Sequence, residues 1–322
     1  MAYLIGVDEA GYGPNLGPLV IAGTCWRMDD AQTDLATVDL YKVLSKVVSL
    51  KASARRLAIA DSKVLYNGRQ NFPLLEEAVL ATGVALAHKL PIWQGECEPD
   101  LTNPVSAELA PWYEGWTECF PLHTDGKLVE KRYQKLAAEC DGRGVSLANV
   151  CSVFLTAKAF NNRLAQLGNK STVLSHATLG LVRRLLDDCD RNEPHRVRIV
   201  CDKHGGRDYY LGVLQHFFPD IWWQTQMESR SLSRYTGCLR NLCLTIEFQS
   251  KGEGYLPTAL ASIYAKFHRE VAMKAFNAFW QKEVPGIRPT AGYPGDAIRF
   301  RQETERRRQE LALPLESFWR MK

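Results

Sequence analysis

Asp8 and Glu9 stand together where the apolar segment Tyr3 to Val7 gives way to the run Gly11-Tyr12-Gly13-Pro14-Asn15-Leu16-Gly17-Pro18. An acidic pair at a strand end fits two roles: a solvated surface feature, or part of a site for a hard divalent cation, which prefers oxygen ligands. Neighbouring strand residues point to opposite faces, so both carboxylates reach one cleft only if the strand end twists. A third carboxylate, Asp202, directly follows the apolar segment Val197-Arg198-Ile199-Val200-Cys201 and precedes Lys203-His204-Gly205-Gly206-Arg207. Carboxylates held at the ends of rigid strands can bind Mg²⁺ or Mn²⁺, and two such ions activate a water and stabilise the leaving oxygen of a phosphodiester. Such a site draws three or four carboxylates from separated parts of the chain, because only the metal relieves their repulsion. His204 has the ordinary pKa range of a proton carrier, and equally suits a plain loop position.

The elements that must position these residues follow from patterning. Tyr3 to Val7 and Leu19 to Trp26 read as two strands around a tight loop. Helical spacing is expected over residues 36–49 and 74–81, and a strand over 84–90. Residues 91–146 break the regularity with three of the eight tryptophans and several prolines, and are expected to form an insertion or subdomain. Helical patterns follow at about 146–166 and 171–189, then the strand ending at Asp202, a helix over 207–217, and strands over 222–228 and 242–249. A long helix is expected over about 257–282, opening near Pro257, and a tail helix over about 295–312. This order indicates an α/β domain with a mixed β-sheet flanked by helices, an inserted subdomain and C-terminal helices.

The bulk properties set the class without choosing the ligand. The chain of 322 residues is 46% hydrophobic, enough for a substantial core, and a net charge of +4 permits a phosphate backbone as partner without demanding one. Nine cysteines without a CxxC pair argue against a disulfide scaffold or a thiolate zinc site, and suit buried apolar positions in a reducing compartment. Met1 to Gly6 lacks the basic stretch and apolar run of a secretion signal, and no run approaches a membrane span. A soluble, cytoplasmic, monomeric protein is the expectation.

The ordered motifs resemble those of the type 2 ribonucleases H, ribonuclease HII and its relative HIII. Gly6 to Pro14 with Gly17-Pro18-Leu19-Val20 is similar to that family's opening, and Ala60-Asp61-Ser62-Lys63 to its DSK segment. Val197 to Asp202 resembles its third strand, Lys251-Gly252-Glu253 a short lysine-acid motif, and Ala259 to Glu270 its AASI-AK-x-x-RD helix. Gly292-Tyr293-Pro294 and Ser317-Phe318 resemble its last two blocks, whereas residues 91–146 have no counterpart.

The resemblance implies a ribonuclease H-like domain whose catalytic metal ligands are Asp8, Glu9, Asp202 and Glu270, the last a glutamate where the family has aspartate. It implies substrate contacts from Gly11, Tyr12, Gly13, Ser62, Lys63, Lys266 and Tyr293, with Tyr293 stacking on a sugar. Tyr12 stands where ribonuclease HII has a basic residue, so recognition of a single embedded ribonucleotide is left open. The expected activity is Mg²⁺- or Mn²⁺-dependent hydrolysis of the RNA strand in an RNA–DNA hybrid or ribonucleotide-containing duplex. Two rivals stand beside it: a nuclease of the same fold with another substrate, and a non-catalytic nucleic-acid-binding relative. Glu253 fits a supporting role, and the tail arginines Arg299, Arg301, Arg306, Arg307 and Arg308, interleaved with Glu303 and Glu305, read as a salt-bridged helix face.

Overall fold

The computed structural model describes residues 1–29, 33–66, 71–87, 92–93, 110–114, 116, 118–187, 189 and 195–321. Its centre is a seven-stranded mixed sheet. In chain order the strands are β1 (Ala2–Ala10), β2 (Leu19–Met28), β3 (Val145–Leu155), β4 (His195–Asp202), β5 (Gln224–Glu228), β6 (Leu232–Leu239) and β7 (Leu242–Gln249). Across the sheet they lie β3-β2-β1-β4-β7-β6-β5. The adjacent strands β1, β4 and β7 are parallel, so their carboxyl ends open on the same edge. β1 and β2 are buried over nearly their full length, which is why they read as continuous apolar runs rather than alternating ones.

Helices cover both faces. On one lie α1 (Phe72–Ala87), α2 (Gly126–Gly142) and the long α6 (Leu256–Glu283); on the other lie α3 (Ala157–Leu167), α4 (Lys170–Asp187) and α5 (Leu211–Phe217). A tail helix, α7 (Pro294–Glu310), follows α6. The amino end of α6 sits directly on β1, since a Cβ at Gly6 would come within 2.1 Å of the backbone of Pro257 and Thr258. Thr24 donates to the Pro257 carbonyl (2.8 Å) and Thr258 to the Val200 carbonyl (3.1 Å), so α6 is bolted to β1, β2 and β4 just below the carboxyl ends of β1 and β4.

The α/β architecture expected from the sequence is the one observed, with four local corrections. The helix expected over about 146–166 is in fact edge strand β3 followed by α3, whose start is capped by Thr156 and whose end is a left-handed Gly168. The strand expected over 84–90 is the last part of α1 as far as residue 87, and 88–90 lie outside the described residues. Of the helix expected over 36–49 only Leu40–Val43 is helical, while Val48–Ser49 pairs with Leu57–Ala58. Strand β6 was not foreseen; it hairpins onto β7 through Arg240 and Asn241, with Arg240 at φ 52°.

Within 91–146, Ile92–Trp93 pairs with Glu118–Cys119, and α2 carries Asp125 as its cap. Trp112 lies in the core against Phe276, Trp280 and Phe318. The fully buried Glu76 of α1 accepts from the amides of His123 and Thr124 at 2.9 and 2.8 Å. These described parts therefore share one core with α1 and α6.

Candidate functional site

Parallel pairing is what assembles the acidic site. β1 and β4 run in register from Ala2 opposite Arg196 to Val7 opposite Cys201, which sets Asp8 beside Asp202 at the next position. On β1, Ala2, Leu4 and Ala10 belong to the core beneath α6, and Tyr3, Ile5 and Val7 to the core on the other side. Asp8 therefore points towards α6 and Glu9 towards the opposite face, as alternation requires. Both still converge at the end of the strand: carboxylate oxygens of Asp8, Glu9 and Asp202 all lie within 4.8 Å of one another.

The surroundings orient each carboxylate. Ser262 on α6 favours the charged form of Asp8 against the other influences on it, and Ser262 in turn meets the hydroxyl of Ser62 at 2.9 Å. The backbone N–H groups of Lys203 and Gly252 favour the charged form of Asp202, and Gly252 packs against the Asp202 backbone. Lys203 anchors the following loop, its ammonium bonded to Asp208 (2.7 Å) and the Ser229 carbonyl (2.6 Å). Burial, Glu9, Asp202 and Glu253 hold the Asp8 carboxyl well above the usual carboxylate range. Burial and Asp202 push Glu9 up to about 8, with Lys63 opposing. Asp202 is raised by burial and by Glu253. Three crowded carboxylates that resist ionising together are a donor set that a hard divalent cation would complete.

Glu270 is not part of this group. It follows Ser262 by eight helical residues, roughly 12 Å along the axis, and its oxygens are taken by the Tyr66 hydroxyl (2.9 Å) and the Lys266 ammonium (2.6 Å). The carboxylate that does press on the cluster is Glu253, 9% exposed and paired with Lys63 at 3.5 Å. It raises Asp8, Glu9 and Asp202 alike. The signal for Glu253 was present in Lys251-Gly252-Glu253, but only the tertiary placement of Gly252 against Asp202 gives it weight.

The residues expected to touch substrate divide. Gly13 is exposed, and Gly11, at φ +91°, has no room for a side chain because a Cβ would meet Arg269 and the Pro18 carbonyl. Tyr12 is half-buried, with the Lys170 ammonium 5.1 Å from its ring centre and its hydroxyl against Gly205, so it ties the glycine loop to the loop after Asp202. Tyr293 leaves 53% of its surface open beside the glycine loop, since the preceding Gly292 accepts from Asn15 N–H at 2.8 Å. Lys63 is exposed; burial lowers its pKa, but Asp8, Glu253, Asp61 and Asp202 outweigh that and raise it. Lys266 is committed to Glu270 and lies over the Tyr66 ring at 4.6 Å. Ser62 is 5% exposed, so it acts inward through Ser262 rather than on a ligand.

His204 is buried with Nδ1 3.0 Å from the Ser175 hydroxyl, and burial pushes its pKa down to about 3, which leaves it neutral and removed from proton carriage. Arg299 pairs with Asp296 and Glu303, Arg306 with Glu310, Arg307 with Glu283 and Glu310, and Arg308 with Glu305, while Arg301 lies over the Trp319 ring at 5.3 Å. Beside the acidic cluster runs an open groove of about 670 Å³, lined by Lys51, Lys63, Lys251, Asp61, Asp202 and Glu253 among others. No helix among the described residues is long and apolar enough to cross a membrane.

Fold and site together define an α/β protein with a carboxylate cluster at the carboxyl ends of its central parallel strands, the usual location of ligand sites in open α/β sheets. No protein-family model matches the chain, and no curated protein matches it. Among solved structures, the PCNA:RNase HII complex from Archaeoglobus fulgidus contains a chain that aligns with 99% of this one over 94% of its own length, at 16% identity and a TM-score of 0.43. Ribonuclease H2 from Pyrococcus horikoshii OT3 aligns with 98% of this chain and 92% of its own, at 14% identity and a TM-score of 0.42. Bst-RNase HIII in complex with Mn²⁺ aligns with 99% of this chain and 66% of its own, at 12% identity and a TM-score of 0.43.

Proposed function

We propose that this protein is a divalent-metal-dependent endonuclease that hydrolyses the RNA strand of RNA–DNA hybrids. The observation that carries the reading is the convergence of the Asp8, Glu9 and Asp202 carboxylates within 4.8 Å beside a lysine-lined groove. Sequence blocks resembling those of the type 2 ribonucleases H supply the residues around it. Asp8, Glu9 and Asp202 would hold Mg²⁺ or Mn²⁺, with Glu253 behind them. An ion bound there supplies Lewis-acid activation of water and neutralises charge at a phosphodiester.

The remaining work belongs to the chain's own side chains. Ser262, held by Ser62, would favour the charged form of Asp8, and Gly252 would do the same for Asp202 beside it. Lys51, Lys63 and Lys251 face the path of a phosphate backbone, where each neutralised phosphate releases counterions. The open ring of Tyr293 offers a stacking surface beside the glycine loop.

A substrate panel tests the reading. Labelled RNA–DNA hybrid, DNA duplex and RNA duplex are incubated with protein and Mn²⁺, and cutting of the hybrid's RNA strand alone is expected. Tyr12, in place of a basic residue, favours a second reading in which the same centre acts on another nucleic acid; preferential cutting of the DNA duplex would establish that instead. A binding protein without catalysis is disfavoured because clustered buried carboxylates are costly without a cation.

The division between the two glutamates gives a sharper expectation. Glu253→Gln should slow hybrid cleavage by about 10- to 100-fold, the range for groups that support a metal's direct ligands. Glu270→Gln breaks a partly exposed ion pair and should change the rate by no more than about fivefold. Single-turnover rates at saturating Mn²⁺ check both; the reverse order of effects would return Glu270 to the site.

A further inference from the structure

We propose that Arg320, the third-last residue of this sequence, is a positioning residue that holds the Gly11–Pro14 loop in its working shape. The proposal rests on the reading above, in which that loop meets the nucleic acid. The Arg320 side chain is 1% exposed, and its Nη2 donates to the carbonyls of both Gly11 and Pro14. Its backbone N–H donates to the Asn15 carbonyl at 2.8 Å, and the Asn15 side-chain amide donates back to the Arg320 carbonyl at 3.1 Å. One residue thus grips the loop at three carbonyls and one side chain.

Packing alone does not account for an arginine here. Its Nε and Nη1 have no hydrogen-bond partner, and the guanidinium lies over the Phe160 ring at 5.1 Å. A second buried guanidinium, that of Arg269, lies close enough to oppose its charge, and burial with that neighbour brings the Arg320 pKa down to about 9. An apolar side chain of similar volume would avoid these costs. What it would not do is bridge two carbonyls of a turn, which the forked donor geometry of guanidinium allows.

The consequence reaches the solvent side of the loop. The Gly11 carbonyl and the Tyr12 N–H belong to one planar trans peptide and point in opposite directions. Drawing the carbonyl inward turns the N–H outward, and that N–H meets no acceptor among the described residues. Arg269 supports the same geometry from behind, since a Cβ at Gly11 would lie 2.5 Å from its Nε. The tail itself is tied down by Asn161, whose side-chain amide donates to the carbonyls of Glu316 (2.9 Å) and Trp319 (2.8 Å) and whose oxygen accepts from Met321 N–H (2.8 Å).

The test compares the full chain with Arg320→Met, Arg320→Lys and Asn161→Ala. Hydrogen exchange at residues 11–17 reads the loop without reference to any activity, Mn²⁺ calorimetry reads the carboxylate cluster, and steady-state cleavage of the hybrid separates KM from kcat. Arg320→Met should speed exchange in the loop at least tenfold and raise KM about tenfold, with Mn²⁺ affinity within twofold of the parent. Arg320→Lys, which keeps the charge but not the fork, should fall between. If Arg320→Met does not fold, Asn161→Ala carries the test, with severalfold faster loop exchange and a raised KM expected. Loop exchange equal to the parent's in the folded variants would overturn the proposal, as would loss of Mn²⁺ binding together with faster exchange throughout the chain. A parent protein that leaves the hybrid uncut overturns the ribonuclease reading alone, and the exchange data still decide the loop's brace.

Discussion

Asp202→Asn is expected to abolish hybrid cleavage, on the order of 10³-fold or more, while making the metal-free protein more heat-stable. Both effects have one cause. Asp202 ends a strand whose backbone is fixed by β1 on one side and β7 on the other, so its carboxylate is delivered to Asp8 and Glu9 whether or not that is electrostatically favourable. Burial and Glu253 already raise its pKa, which means that ionising it in the folded protein is opposed. The neutral amide removes the repulsion and with it a ligand. Loss of charge stabilisation at a reacting phosphodiester typically costs two to three orders of magnitude per group, about 10²–10³-fold, and more where a cation goes with it. The variant should bind Mn²⁺ at least about tenfold more weakly, by calorimetry, and melt at a higher temperature than the parent in chelator. Equal cutting by parent and variant, or cutting that survives chelation, sinks the mechanism.

The second large effect is a pH dependence with opposite consequences for stability and for metal binding. Glu9 moves from an ordinary value near 4.5 to about 8 in the folded protein, and Asp8 is raised as well. Between those values the folded chain holds protons that the unfolded chain has released. Stability of the metal-free protein therefore falls as pH rises through this window, and is greatest near its acidic end as far as these groups are concerned. A bound cation must displace the same protons. Mn²⁺ affinity should rise by up to about tenfold per pH unit for each proton displaced. Titrations at pH 6.5 in buffers of different ionisation enthalpy would count the protons released per ion. Affinity that stays flat from pH 6 to 8, with no protons released, would mean that the carboxylates are ionised before the metal arrives.

Some of the site was legible from one-dimensional pattern because local rules carry it. Asp8 and Asp202 each follow an apolar run, and a run that stops at a carboxylate signals a strand end facing water or a ligand. The glycines of the Gly11–Gly17 loop are similarly readable, since Gly11 at φ +91° and Gly17 at φ +78° occupy backbone positions that side chains disfavour. The long helix after Pro257 also came through, its apolar residues recurring over 28 residues as α6.

Other features depended on contacts far apart in sequence. Val145–Leu155 has mixed apolar spacing that fits a helix, and becomes a strand because β2 offers it a ladder of partners from Leu19 to Met28. Ser62 looked like a surface contact in its motif, yet it lies inside and reaches Asp8 through Ser262, a residue 200 positions away. Glu270 and Glu253 both followed basic or glycine-rich motifs, and nothing local ranks them. Two helical turns separate Glu270 from Ser262, whereas the turn at Gly252 brings Glu253 against the end of β4. By itself, then, the chain determined the kind of layers, the acidic strand ends and the glycine loop, because these follow from hydrophobic period and backbone permission. Which carboxylates share a centre, and that Arg320 from the far end of the chain grips the loop beside them, were decided only when parallel pairing and burial placed distant charges within a few ångströms.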